Sequence, residues 1–299
     1  MYQHVLWLEE QVAGALEVET LAQSEVWSLV GRIVHYCPLV PGGRFNIGHL
    51  IRINSTSTSK TARVSIDRAA KRQLEFWLLI LKTSSGLASI PGPAMALPAW
   101  AWEFFTDAAG GSGSTVGLGC GGVSGDWWFY VPWGRKINTG VRWKGSKLSQ
   151  KMSALELVGP LICLASGYER VRNRPVRILV DNSGSVHIWR KGYSNRCGLC
   201  TTLVSAIATV AAGLGCTVGI EKVSRCSAAG PQMADALSKA AFGYCREIGR
   251  DAGWELATAP AWVPASILAW VADPNDTRDL GGDILLELRK RTLVLGYNC

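Results

Sequence analysis

A chain of 299 residues with 48% hydrophobic and 18% charged residues has the makings of a sizeable core, which excludes a disordered polyelectrolyte. Its net charge of +8 favours a polyanionic partner, nucleic acid most simply, although an anionic membrane surface fits charge alone equally well. Nine cysteines at irregular spacings, without a secretory leader at Met1-Tyr2-Gln3-His4, argue against a disulfide scaffold and for a cytoplasmic or nuclear protein.

Residues 1–95 read as one helical region. Val5–Leu8 and Leu16–Leu21 are short amphipathic pieces. Ser24 can cap a helix running to Tyr36, with Trp27, Val30, Ile33 and Val34 on one face. Pro38 stops it and Pro41-Gly-Gly43 is a turn. Ile66–Leu81 returns to helical periodicity, with Arg68, Lys71 and Arg72 opposite Phe76, Trp77 and Leu81. The proline-rich stretch Ser84–Ala99 reads as a linker and places a domain boundary.

From Trp100 the pattern changes. Residues 101–107, Thr115–Cys120 and Trp127–Trp133 are strand-like runs joined by Gly-rich turns, an antiparallel meander. Leu148–Ser166 follows as a helix that Ser149 or Ser153 could cap. Then come a strand Val176–Asp181, a helical turn Gly184–Lys191, a helix Leu199–Leu214, a strand Cys216–Val223 and a helix Pro231–Ile248. Residues 96–250 are thus expected to form an α/β layer, a mixed five-stranded sheet flanked by helices. Residues 251–299 form a C-terminal helical extension, with a helix over Asp283–Arg291. Residues 198–220 carry no charge and could reach across a bilayer. Their Gly, Ala, Ser and Thr content favours a buried helix running into a buried strand, so no membrane partner is expected.

Four acids stand out. Asp107 ends the apolar run Glu103-Phe-Phe-Thr-Asp107, and Asp181 ends Ile178-Leu-Val-Asp181. These two strands can be sheet neighbours. Glu156 lies in a helix among Leu155, Leu157, Val158 and Leu161, where an unpaired acid is costly, and Asp235 lies near the start of the last helix of the layer. Taken singly, each could be a turn, cap or solvated residue. Converging, they cannot all stay ionised without a cation, and oxygen ligands suit Mg²⁺ or Mn²⁺. Two such ions about 4 Å apart are a known arrangement for phosphoryl transfer.

The segments Phe105-Thr-Asp-Ala-Ala-Gly110, Ser153-Ala-Leu-Glu-Leu157, Leu179-Val-Asp-Asn-Ser183 and Ala234-Asp-Ala-Leu-Ser-Lys239 resemble the four motifs of a retroelement ribonuclease H. The order, with the helix Glu second, differs from integrases and transposases, which place Glu last. Leu29–Phe45 and Lys191-Gly-Tyr-Ser194 add to a likeness to the reverse transcriptase–ribonuclease H polyprotein of DIRS-like retrotransposons. The resemblance implies a ribonuclease H-like fold after a thumb- or connection-like region. It implies hydrolysis of the RNA strand of RNA–DNA hybrids with two ions held by Asp107, Glu156, Asp181 and Asp235. It further implies a polymerase part in a longer polyprotein; no Asp-Asp pair of a polymerase site occurs here. Family members often carry a His in the loop before the last motif. Ser224–Gln232 has none, which leaves Arg225 as its substitute in product release, or slow turnover. A catalytically inactive ribonuclease H-like module that binds nucleic acid or a partner is the alternative.

Arg135, Lys136, Arg142, Lys144 and Lys147 form a basic cluster interleaved with Trp127, Trp128, Trp133 and Trp143. Together they could track a phosphate backbone while the rings meet sugars or bases; the tryptophans could equally be core. Asn182 and Arg225 join Arg135, Lys136, Arg142 and Lys144 as candidate nucleic-acid contacts. Arg170–Arg177 is a second basic cluster, with a solvated loop as its plain reading. Cys197-Gly-Leu-Cys200 lacks a second pair at zinc spacing, so a chance pair at a helix start is expected. His187 is expected to be a packed histidine.

Overall fold

The computed structural model describes residues 2–37, 40, 42–83, 99–110, 118–134, 148–273 and 279–294. They fall into two compact units, one within 1–96 and 191–201, the other within 97–190 and 202–299.

The first unit is helical, with one small sheet. It contains α1 (Tyr2–Leu16), β1 (Thr20–Ala22), α2 (Gln23–Tyr36), a 3₁₀ turn (Gly43–Asn46), α3 (Gly48–Asn54), β2 (Arg63–Ser65) and α4 (Arg68–Thr83). The expectation of helix alone misses β1 and β2, which pair antiparallel with Leu21 opposite Val64. Ser24 does not cap α2. Ala22 takes that position, and its backbone N–H donates to the Glu25 carboxylate at 2.7 Å. The buried face of α2 is Val26, Leu29, Val30 and Ile33, whereas Val34 points to solvent. These side chains pack with Leu8, Val12, Leu50, Leu74 and Trp77. Gln73 serves the N-terminus of α3, its Oε1 accepting from the backbone N–H groups of His49 (2.9 Å) and Leu50 (3.2 Å).

The second unit is a five-stranded sheet flanked by helices. Its strands are β3 (Trp102–Ala108), β4 (Gly119–Ser124), β5 (Trp127–Pro132), β6 (Pro175–Val180) and β7 (Thr217–Lys222), in the order β5-β4-β3-β6-β7. The first three form the antiparallel meander; β3–β6 and β6–β7 are parallel. The sequence pattern places the second strand over Thr115–Cys120. It runs four residues later, and 111–117 lie outside the described residues. The helices are α5 (Leu148–Ser166), α6 (Tyr168–Val171), α7 (Ser183–Lys191), α8 (Gly198–Gly213), α9 (Ala229–Ser238), α10 (Phe242–Asp251), α11 (Ala265–Ala272) and α12 (Leu280–Val294). Asp279 starts α12, its Oδ1 accepting from Gly282 N–H at 3.2 Å. Residues 198–222 are α8 followed by β7, and no helix among the described residues is long and apolar enough to cross a membrane.

Strand alternation decides which helix covers which face. A Cβ on Gly159 of α5 would meet Thr106 at 2.7 Å and Cys120 at 3.3 Å. A Cβ on Gly121 of β4 would meet Leu237 of α9 at 2.4 Å. Thr106 and Asp107 point to opposite faces, as do Cys120 and Gly121, so α5 covers one face and α9 the other. On the α5 side Phe104, Phe129, Ile178, Leu157 and Leu161 are fully buried. On the α9 side Phe105, Val123, Trp128, Leu179, Met233 and Leu237 form a continuous cluster. Each large side chain so buried contributes about 1.5–3 kcal/mol.

The expected helix Pro231–Ile248 is two helices. Ala240 adopts φ +56°, its N–H bonds the Leu237 carbonyl at 2.9 Å, and Ala241 N–H bonds the Ala236 carbonyl at 2.9 Å. That is the paired closure of a Schellman motif, built on alanine where glycine is usual. Asp235 therefore sits near the C-terminal end of α9 rather than near the start of a long helix.

Close approach at Gly121 yields a test. Gly121→Ala should lower stability by about 1–3 kcal/mol in urea unfolding, because backbone of α9 (Ser238 N, 2.6 Å) stands in the way. Gly14→Ala, in α1 where nothing lies within 4 Å of the added carbon, should be neutral or gain up to ~1 kcal/mol.

Candidate metal centre

The site forms where β3 and β6 end side by side. Thr106 is in register with Val180, so Asp107 and Asp181 are the next residues along two paired parallel strands. Asp107 is buried inside β3, and Asp181 stands just past β6 with a quarter of its side chain exposed. Glu156 arrives from α5. Because Gly159, three residues on, carries no side chain, that helix can lie against Thr106 at the end of β3. One carboxylate oxygen from each of Asp107, Glu156 and Asp181 lies within 4.8 Å of the other two. This trio is the only such group of ligand residues among the described residues.

The turn after β6 is fastened to α5. Asn182 Oδ1 accepts from Ser185 N–H (3.0 Å) and from the Ser153 hydroxyl (3.3 Å), and the Ser185 hydroxyl donates to the Ser153 carbonyl (3.2 Å). Ser153 lies one helical turn before Glu156, so these bonds fix Asp181 relative to Glu156. Ser153 is therefore inside α5 rather than its cap, and Asn182 uses its carbonyl oxygen to cap α7.

Asp235 stands outside the trio. Both of its oxygens are held by Lys239 Nζ (2.8 and 2.7 Å), four residues on in the chain, and Arg225 Nε lies 3.1 Å from Oδ1. The same guanidinium reaches Asp107 Oδ1 at 3.3 Å and Asp181 Oδ2 at 2.5 Å. The Ser238 hydroxyl lies 2.6 Å from Asp107 Oδ2 and 2.8 Å from the Asp235 carbonyl; with one proton it donates to one at a time. The sequence assigns no role to Ser238 or Lys239, and offers Ser153 only as a helix cap. The spacing Asp235-x-x-Ser238-Lys239 carried the signal, since i+3 and i+4 neighbours share a helix face.

Electrostatics mark Glu156 as the deepest member. Burial first, then the charges of Asp107 and Asp181, push its carboxyl up from 4.5 to about 9, against a partial offset from the Ala108 backbone N–H. Asp107 is also raised, chiefly by burial, with Ser238 and Arg225 opposing. Oε2 of Glu156 is buried and has no hydrogen-bond partner. An orphaned acceptor in a buried acidic cluster is the mark of a cation-shaped requirement. The donors are all carboxylate oxygen, which suits a hard divalent ion. Asp107, Glu156 and Asp181 could therefore hold a metal ion.

Other sequence candidates fare differently. Arg135, Lys136, Arg142, Lys144, Lys147 and Trp143 lie outside the described residues. The remaining three tryptophans of that cluster are buried, Trp128 Nε1 donating to the Ala257 carbonyl and Trp133 Nε1 to that of Ala109. They are core, and do not present open rings to bases. In the second basic cluster Arg170 pairs with Asp126, and Arg177 bridges Glu103 and Glu221 across three strands. His187 is exposed on α7, contrary to expectation, because it falls on the solvent side of a short helix that buries Val186 and Trp189. Cys197 and Cys200 are buried at the start of α8.

No family model, no curated protein and no solved structure matches this chain.

The raised carboxyl has a pH signature of definite sign. Between about 4.5 and about 9 folded Glu156 keeps a proton that the unfolded chain has released. Its contribution to stability is full below the lower value and is lost as pH rises through the upper one. In chelator, the denaturation midpoint of the wild type should fall between about pH 6 and about pH 8.5. Glu156→Gln, which cannot ionise, should show a shallower fall in the same urea or thermal assay.

Proposed function

We propose that residues 96–250 form a ribonuclease H-like domain, a metal-dependent endonuclease that hydrolyses the RNA strand of RNA–DNA hybrids. The observation that carries this reading is the trio of buried Asp107 and Glu156 with half-buried Asp181, around an unpartnered Glu156 oxygen. It lies at one end of a sheet whose meander is followed by two parallel strands. The choice of hybrid over other phosphodiesters comes from the resemblance of the four acid-bearing segments to retroelement ribonuclease H. The same resemblance supports a polymerase part in a longer polyprotein.

Asp107, Glu156 and Asp181 would hold the metal, and Asp235 would join them once Lys239 and Arg225 release it. Mg²⁺ or Mn²⁺, as two ions, would supply an activated water and charge stabilisation for the leaving 3′ oxygen. The chain's own contribution is positioning. Ser238 orients the Asp107 carboxylate, the Asn182–Ser153 bond holds the β6 turn against α5, and burial of Glu156 keeps bulk water from one side. The half-exposed Arg225 would be available to an entering scissile phosphate.

A second reading has one observation in its favour. Arg225 already occupies oxygens of three of the four acids, as suits a catalytically inactive ribonuclease H-like binding or interaction module.

Cleavage of a labelled RNA–DNA hybrid in Mg²⁺ and Mn²⁺, beside single-stranded RNA, separates the two. Hybrid-specific cleavage is expected, falling about a hundredfold or more in Asp107→Asn and about ten- to a hundredfold in Ser238→Ala, which removes only the orienting hydroxyl. Salt-sensitive binding without cleavage would select the inactive module.

A further inference from the structure

Within the quartet, Asp107, Asp181 and Asp235 share one guanidinium, while Glu156 has no direct cationic partner. Once a metal displaces the Glu156 proton, four carboxylates against Arg225 and Lys239 leave two negative charges uncompensated, room for a single divalent ion. With Arg225 removed, three are left, which two divalent ions and one entering phosphodiester would balance. Arg225 and a fully loaded site are therefore electrostatic alternatives, since a guanidinium bridging Asp107 and Asp181 uses the oxygens that an outer ion needs.

The loop is built to allow either state. Residues 224–228 join β7 to α9 and are all exposed. Ser227 bonds back to the Ser224 carbonyl through both N–H (3.1 Å) and hydroxyl (2.7 Å), a self-contained turn. Ala228, at the N-cap of α9, makes no side-chain cap bond that loop movement would break. Nearly half of the Arg225 side chain remains exposed, so it can leave without opening the core. A planar guanidinium is also the group that can bridge three carboxylates at once, which a lysine ammonium does less well.

Resting on the metal-site reading above, we propose that Arg225 is a resident counter-cation that competes with divalent metal for the outer half of the site. Metal entry expels the side chain, and expulsion releases the exposed 224–228 loop from the acids that tether it. The loop is thus a sensor of metal loading, whose released arginine becomes available to a phosphate only after the acids are occupied.

Two measurements test this on the full chain. In calorimetric titration with Mn²⁺, Arg225→Ala should bind about tenfold more tightly than wild type, with Arg225→Lys between them. In limited trypsin digestion of the wild type, Mn²⁺ should speed cleavage after Arg225 while slowing it elsewhere. Equal or weaker Mn²⁺ binding by Arg225→Ala, or Mn²⁺ protection of the Arg225 bond, would overturn the competition and leave the metal site standing. Absence of Mn²⁺ binding in the wild type and in Arg225→Ala alike would overturn both.

Discussion

The second unit depends on one unfavourable placement, the carboxyl of Glu156 inside the molecule beside two other acids. Burial and like charge together hold its proton near pH 9, and one of its oxygens finds no donor. A protein gains nothing in stability from this arrangement. Apolar residues on every side of Glu156 in α5 would pack there at lower cost. What surrounds it makes sense as the means of keeping the acid in place. Gly159 lets the helix approach β3, Ser153 and Asn182 tie the helix to the β6 turn, and parallel pairing of β3 with β6 sets Asp107 beside Asp181.

The balancing charge comes from outside the core. Arg225 and Lys239 are surface residues, each about half exposed, and the carboxylates they touch grow more buried from Asp181 and Asp235 to Asp107. The electrostatics are therefore graded. The outer acids are paired with surface cations, whereas burial and like charge favour the protonated form of the inner one. Such a gradient lets a site remain folded in two charge states, since each can be reached by moving a surface side chain and one proton rather than by repacking.

Much of this was legible from residue order. The helix Leu148–Ser166 has the bounds the sequence predicts, because its apolar run is long and its flanks are polar. The adjacency of Asp107 and Asp181 followed from two apolar runs that each end on an acid. Less legible were features set by tertiary contact. The three-residue strands β1 and β2 are too short to show a period and exist because they pair across more than forty residues. The break after α9 uses Ala240 in a left-handed conformation, so the glycine that would announce it is missing. Glycine-rich β4 shows no alternation and slid by four residues. Trp127, Trp128 and Trp133 look like binding rings beside basic residues, yet their indoles fill the core. The central part of Arg225 could not be read from a loop of Ser, Cys and Ala, because three carboxylates reach it from three separate elements.

The most direct test of a cation site at these acids is anomalous diffraction at the manganese edge from crystals grown in MnCl₂. An anomalous peak bonded to Asp107, Glu156 and Asp181, with Arg225 turned away, is the predicted result. Arg225 still bridging Asp107 and Asp181, with no peak between them and Glu156, would contradict it.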